Sequence, residues 1–140
     1  MPWQRFQAAI QEILATKNFA VVGASRDRQK FGFKVYQSLK RYGYNVFAVN
    51  PNATEIEGDS AYPLLDNVPE PIDCVVTVVP PEVTFEIVRQ AGQLRIPKMW
   101  MQPGSESQSA VIEAYAQGIE VVFGGPCIMV EAGNRLAQTA

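Results

Sequence analysis

Five short apolar runs, all but the fourth rich in valine, punctuate the chain, at residues 19–22, 45–49, 74–79, 98–101 and 119–123. Several are continuous rather than alternating, which is how strands read when a parallel sheet is covered on both faces. Between them, apolar positions recur at helical spacing. Residues 3–15 place Trp3, Phe6, Ile10 and Ile13 on one face. Residues 32–42 align Val35, Leu39 and Tyr42 and stop at Gly43, a residue suited to a helix end. Residues 81–94 open with Pro81 and align Val83, Ile87, Ala91 and Leu94, a first-turn proline followed by an apolar stripe. Residues 105–117 open with Ser105 and Gln108 in capping-box spacing and end before Gly118. A last short helix is expected over 129–138. The exception is 51–72, which holds four prolines, Gly58 and several acids. It leaves room for only a short helix around 62–67.

Strand and helix in alternation imply right-handed crossovers and a doubly wound sheet. The expected fold class is α/β and Rossmann-like. Five parallel strands would run in the order 3-2-1-4-5 with helices on both faces, as one domain over residues 1–140. Such sheets bind ligands beyond the carboxyl ends of their strands, at the switch point, expected here beside strands one and four. Those ends read Gly23-Ala24-Ser25, Asn50-Pro51, Val79-Pro80-Pro81, Gln102-Pro103-Gly104 and Gly124-Gly125-Pro126. Any one of them can be a simple turn. Together on one edge they point to a nucleotide crevice.

Composition narrows the function. Apolar residues make up 47% and charged ones 19% of the chain, as in ordinary globular proteins. No apolar run approaches the roughly 18 residues that span a bilayer, and the N-terminus lacks the hydrophobic core of a signal peptide, so a cytoplasmic location is expected. Two cysteines, Cys74 and Cys127, make neither a metal motif nor a disulfide framework. A net charge of −2 argues against a general nucleic-acid binder. Yet six of the twelve basic residues fall between Arg26 and Arg41, against one acid, Asp27. Lys40 and Arg41 suit a solvated helix face as well as an anion site. Arg26, Arg28 and Lys30 stand in the turn itself.

That turn lies in the stretch VVGASRDRQKFG, residues 21–32. Gly23 permits a tight corner, and the small Ala24 and Ser25 let backbone N–H groups approach an anion. The Ser25 hydroxyl adds a hydrogen bond, Arg26 and Lys30 add positive charge, and Gly32 allows close packing at the helix start. The dinucleotide fingerprint G-x-G-x-x-G is absent, because Ser25 and Arg28 occupy its second and third glycine positions. A nicotinamide enzyme also wants an acid at the end of strand two. This chain has Asn50. Of the two nicotinamide cofactors, NADP suits the basic residues better. Catalytic groups are scarce: the chain has no histidine, and Glu82, Glu106 and Glu131 read as surface carboxylates without partners. Cys127 follows a Gly-Gly-Pro loop and reads either as a reactive thiol or as a small half-buried residue; Cys74 reads as core. The pattern describes a binding site with neither catalytic residues nor a metal site.

Five segments together resemble a known family. They are VVGASRDRQKFGFKV, VFAVNPN with the following EGDSAYPLLDNVPEPIDCVV, VVPPEVTFEIV, KMWMQPGSES and GIEVVFGGPCIM. Over roughly residues 15–130 the chain resembles the small stand-alone CoA-binding proteins. These are similar to the N-terminal CoA-binding domain of the succinyl-CoA synthetase alpha subunit. The resemblance implies binding of coenzyme A or an acyl-CoA. Gly23, Ala24, Ser25, Arg26 and Lys30 would meet its phosphates; Asn50, Pro51, Val79, Pro80 and Pro81 would lie near the adenosine. Gln102 and Cys127 would line the path of the pantetheine arm. The synthetase subunit carries a phosphorylated histidine on a second domain, whereas this chain has no histidine. The resemblance therefore implies CoA binding without ligase chemistry of its own. The stand-alone relatives often show Phe-Arg where this chain has Val79-Pro80, one positive charge fewer.

Two other roles compete. One is an NAD(P)-binding oxidoreductase or its regulatory subunit; the other is a carrier, sensor or subunit that presents CoA to a protein partner. A homodimer is a further option, since Trp3 and Trp100 could form a contact face, although core packing is the commoner use of tryptophan.

Overall fold

The computed structural model describes residues 2–139, with side chains from Phe6 to Gln138. The elements run α1 (Pro2–Leu14), β1 (Asn18–Val22), α2 (Phe31–Arg41), β2 (Asn45–Val49), β3 (Glu55–Ile56) and β4 (Asp59–Tyr62). A single 3-10 turn at Leu65–Asn67 precedes β5 (Cys74–Thr77), α3 (Pro81–Gln93) and β6 (Lys98–Met101). The chain closes with α4 (Gln108–Ala116), β7 (Glu120–Val122) and α5 (Ile128–Thr139). Among the described residues no helix is long and apolar enough to cross a membrane.

The strands form one mixed sheet in the order β3-β4-β2-β1-β5-β6-β7. Helices pack on both faces, so the α/β, broadly Rossmann-like class is present. The expected order is not. The third of the five anticipated strands, β5, pairs with β1, matching Phe19 to Cys74 and Val21 to Val76. It cannot flank β2, because β4 already does, with Ala48 opposite Ala61 and Val49 opposite Tyr62. That strand comes from the stretch read as irregular. Glu57 and Gly58 both have positive φ, 53° and 81°, as a two-residue hairpin turn requires. They fold β3 back antiparallel on β4. The switch point therefore lies between β1 and β5 rather than beside the fourth strand.

Alternation along β1 divides the core. Phe19 and Val21 join Ile13, Leu14, Val35, Leu39 and Ile128, from α1, α2 and α5, on one face. Ala20 and Val22 join Val88, Ala91, Ala110 and Ala114, from α3 and α4, on the other. Each face buries side chains that the period-two pleat sends to opposite sides. Trp100 is fully buried, and its indole Nε1 donates to the Pro126 carbonyl at 3.0 Å. It is a core residue and offers no contact face; the Trp3 side chain lies outside the described side chains.

The helix ends show local chemistry at work. Beyond α2, Gly43 N–H donates to Lys40 O and Tyr44 N–H to Leu39 O, the paired bonds of a glycine-terminated helix. Helix α4 starts later than expected: Ser107, not Ser105, accepts from Ala110 N–H at 3.2 Å. Asp59 ties β4 to α2, accepting from the Tyr36 hydroxyl at 2.8 Å and pairing with Lys40. The hydrogen bonds from Lys40 and Tyr36 hold its carboxyl below the usual range.

The approach of α2 to β1 is fixed by backbone alone. A Cβ on Gly32 would lie 1.9 Å from the Gly23 carbonyl oxygen. Gly32→Ala gains about 1 kcal/mol of helix propensity but must push the helix off the strand end. The steric effect is the larger, so the variant is expected to lose about 3 kcal/mol, or roughly 10 °C in melting temperature. Thermal unfolding followed by circular dichroism checks this, and an unchanged midpoint contradicts it.

Candidate functional site

The carboxyl ends of β1, β2, β5, β6 and β7 meet along one edge of the sheet. Gly23 turns the chain out of β1 with φ 99°. A Cβ there would come within 2.2 Å of the Val78 carbonyl oxygen, so β1 and the end of β5 also meet backbone to backbone. The turn then coils on itself. Asp27 N–H donates to Ser25 Oγ at 3.0 Å, and Gln29 N–H donates to Asp27 Oδ1 at 3.0 Å. Lys30 N–H donates to the Asp27 carbonyl. No side chain caps the first turn of α2, so its partial positive charge faces this edge.

Two cavities open here, of about 580 and 420 Å³. Both have Gly23, Lys30, Val78, Val79 and Pro80 in their walls, which makes them two lobes joined at a waist. The larger lobe adds Phe31 and Gly32 from α2, the 102–105 loop and Cys127. The smaller adds Ser25, Asn50, Pro51, Asn52, Leu64 and Val83, among others. Among the described residues lining the two lobes, Lys30 is the only charged one, and it forms no ion pair.

Most residues singled out from the sequence lie on these walls. Gly23, Lys30, Val79 and Pro80 stand at the waist, Ser25, Asn50 and Pro51 in the smaller lobe, Gln102 and Cys127 in the larger. Three do not line either lobe. Ala24 is buried beneath the turn; Arg26 projects beside it, exposed; and Pro81 is an exposed first residue of α3. Arg28 is engaged elsewhere, with its guanidinium 3.1 Å from Glu57 and over the Phe33 ring.

The two amides at the edge are committed to the fold. Asn50 Nδ2 donates to the Ala24 carbonyl at 2.7 Å, while its Oδ1 accepts from Asn52 N–H at 2.7 Å. Gln102 Oε1 accepts from Ile128 N–H at 2.7 Å, and its Nε2 donates to Cys127 Sγ at 3.4 Å. Gln102 thus caps the start of α5. Beneath it, the Ser105 hydroxyl lies 2.9 Å from that of Thr77 and within reach of the Thr77 and Gln102 carbonyls. The Thr84 hydroxyl donates to the Ser105 carbonyl at 2.6 Å. This buried hydroxyl cluster holds the floor of the larger lobe.

Sequence reasoning missed Phe31, Leu64, Val83 and that cluster. Phe31 follows Lys30 directly and is 64% exposed; an aromatic at a helix start beside a basic turn was the signal available. Cys74 is fully buried, and burial pushes its thiol far above the usual range, so it is core. Among the described residues no group of three His, Cys, Asp or Glu side chains is gathered as a metal site would need.

A two-lobed crevice at the switch point of a parallel sheet, with a glycine corner and a lysine between its lobes, is the arrangement of a nucleotide-type binding domain. The particular family follows from comparison: residues 17–133 match the model of the CoA binding domain, and the chain belongs to that family. It is related to the N-terminal domain of ADP-forming acetate–CoA ligases, a family related to succinyl-CoA synthetase. ADP-forming acetate–CoA ligase II of Archaeoglobus fulgidus is 31% identical over 86 residues, covering 60% of this chain and 13% of the ligase. The chain thus corresponds to a small part of that enzyme's length. Among solved structures, a conserved hypothetical protein of Pyrococcus furiosus is 38% identical with a TM-score of 0.79, covering 83% of this chain and 99% of that one. A hypothetical protein of Pyrococcus horikoshii is 33% identical with a TM-score of 0.86, covering 93% and 91%.

The Asn50 amide explains why the acid of a nicotinamide site is missing. A carboxylate at this position would face the Ala24 carbonyl, two acceptors with no proton between them. Asn50→Asp is therefore expected to lose about 1–3 kcal/mol of stability at neutral pH. Urea unfolding of the variant measures it; a cost of only a few tenths of a kcal/mol would show that the bond to Ala24 is dispensable.

Proposed function

We propose that this chain binds coenzyme A or an acyl-CoA astride the waist of the crevice, as the CoA-holding component of a larger CoA-utilising system. One observation carries the reading. An unpaired lysine stands at the waist between two lobes that otherwise hold no charge. Coenzyme A has the matching form, a diphosphate at its centre with an adenosine on one side and an uncharged pantetheine arm on the other. The backbone around Gly23, Ala24 and Ser25, the open first turn of α2 and the Lys30 ammonium supply donors and positive charge to the diphosphate. Arg26, exposed outside the lobes beside the turn, would add its charge to the ligand's phosphates. Asn50 and Pro51 shape the adenosine lobe, with Val79, Pro80 and Pro81 at its boundary. Gln102 and Cys127 wall the lobe that takes the pantetheine.

Our reading is of a carrier, a sensor or a subunit, with chemistry supplied by a partner chain. The nicotinamide alternative loses ground, because Asn50 is turned toward Ala24 rather than toward a ribose.

The test is binding measured across salt concentrations. A CoA compound at a hundred times its Kd adds about 2.7 kcal/mol, roughly 8–10 °C of melting temperature for a domain of this size. Lys30→Glu is expected to weaken CoA binding by about 10- to 100-fold, the worth of a charge-assisted contact. It should also flatten the salt dependence. Arg26→Glu should do the same to a smaller degree. Unchanged affinity in Lys30→Glu, or stabilisation by NADPH and not by CoA, would overturn the assignment.

A further inference from the structure

Resting on the CoA reading above, we propose that the larger lobe is an acyl pocket and that the ligand it favours is an acyl-CoA whose acyl group is apolar. The adenosine belongs with the polar Asn50 and Asn52 of the smaller lobe, so the thiol end of the ligand is directed across the waist into the larger one. The walls there are Phe31, Val78, Val79, Pro80 and Pro103. Apart from Lys30 at the waist, the polar Gln102 and Ser105 side chains of the lobe are engaged by the fold. Both ends of the Gln102 amide are bonded, to Ile128 and Cys127. Ser105, 2% exposed, spends its hydroxyl on Thr77 and Gln102.

With Lys30 engaged by the diphosphate at the waist, a carboxylate or hydroxyl at the far end of an acyl chain would lose its water and meet Gln102 and Ser105 side chains that the fold already holds, a loss that a hydrocarbon does not suffer. Phe31 adds an independent reason. It lines the lobe with 64% of its surface in water, with the Lys34 ammonium over its ring, 5.2 Å from the ring centre. A chain leaving the lobe would lie against that ring.

The experiment is titration calorimetry of the whole chain with CoA, acetyl-, butyryl-, hexanoyl- and succinyl-CoA. Affinity is expected to rise about three- to fourfold per added methylene from acetyl- to hexanoyl-CoA, the worth of a buried methylene. Succinyl-CoA, with the same number of acyl carbons as butyryl-CoA, should bind at least about tenfold more weakly than it. Phe31→Ala should flatten the chain-length series, and Phe31→Leu should restore most of the slope. Because Phe31 is largely exposed, neither variant threatens the core. Equal affinities across the series, or succinyl-CoA binding as tightly as butyryl-CoA, would overturn the acyl pocket while leaving CoA binding intact. Failure of every CoA compound to bind would overturn the underlying reading and the acyl pocket together.

Discussion

Everything at the ligand edge depends on one contact made without side chains. The Gly23 carbonyl lies where a Cβ of Gly32 would be, and Gly23 itself presses on the Val78 carbonyl. Three backbone segments, the ends of β1 and β5 and the start of α2, meet there at distances that a single methyl group would break. The open N-terminus of α2 is thereby brought to the switch point of the sheet, beside the wall that the two lobes share. Lys30, the residue before α2, is placed at the waist as a consequence. A bulkier residue at either glycine would move the helix and with it the charge.

The groups around that junction divide the labour in a way their chemistry does not announce. Asn50 and Gln102 carry the amides one would expect to read a ligand, yet each spends its bonds within the protein, Asn50 on backbone and Gln102 on the Ile128 backbone and the Cys127 thiol. They fix the β1 turn to β2 and the end of β6 to α5. The walls left for a ligand are mostly apolar, with one fixed charge at the centre. On the proposed reading, such a site would gain affinity from shape and burial in the lobes and register from an anion at the waist.

Much of this was legible in the chain. Apolar runs, most of them valine-rich, marked the strands β1, β2, β5, β6 and β7, since buried parallel strands leave continuous apolar segments. Strand ends marked most of the residues that reach the crevice walls, because a doubly wound sheet gathers those ends on one edge. The strand order was not legible. It was decided by β3 and β4, of two and four residues, too short to display a period. Once β4 occupied the outer edge of β2, β5 had to pair with β1. Nor could the sequence sort the cations: Arg28 and Lys30 are two residues apart, but only the fold brings Glu57 to the first and leaves the second free. Phe31, Leu64 and Val83 escaped notice because they come from helix starts and a loop rather than from strand ends. The Ala24 carbonyl that holds Asn50 and the Ile128 and Cys127 groups that hold Gln102 lie 25 or 26 residues away along the chain, and no spacing rule encodes them.

The measurement that bears most directly on the account is an amide chemical-shift map of the labelled protein titrated with coenzyme A. The account predicts shifts centred on Gly23 to Gly32 and extending both ways, to Asn50–Asn52 in one lobe and to Gly104, Ser105 and Cys127 in the other. The β3–β4 hairpin turn and α1 should stay still. Shifts confined to one lobe, or centred on another part of the molecule, would contradict a ligand held astride Lys30, and so would a spectrum that saturating coenzyme A leaves unchanged.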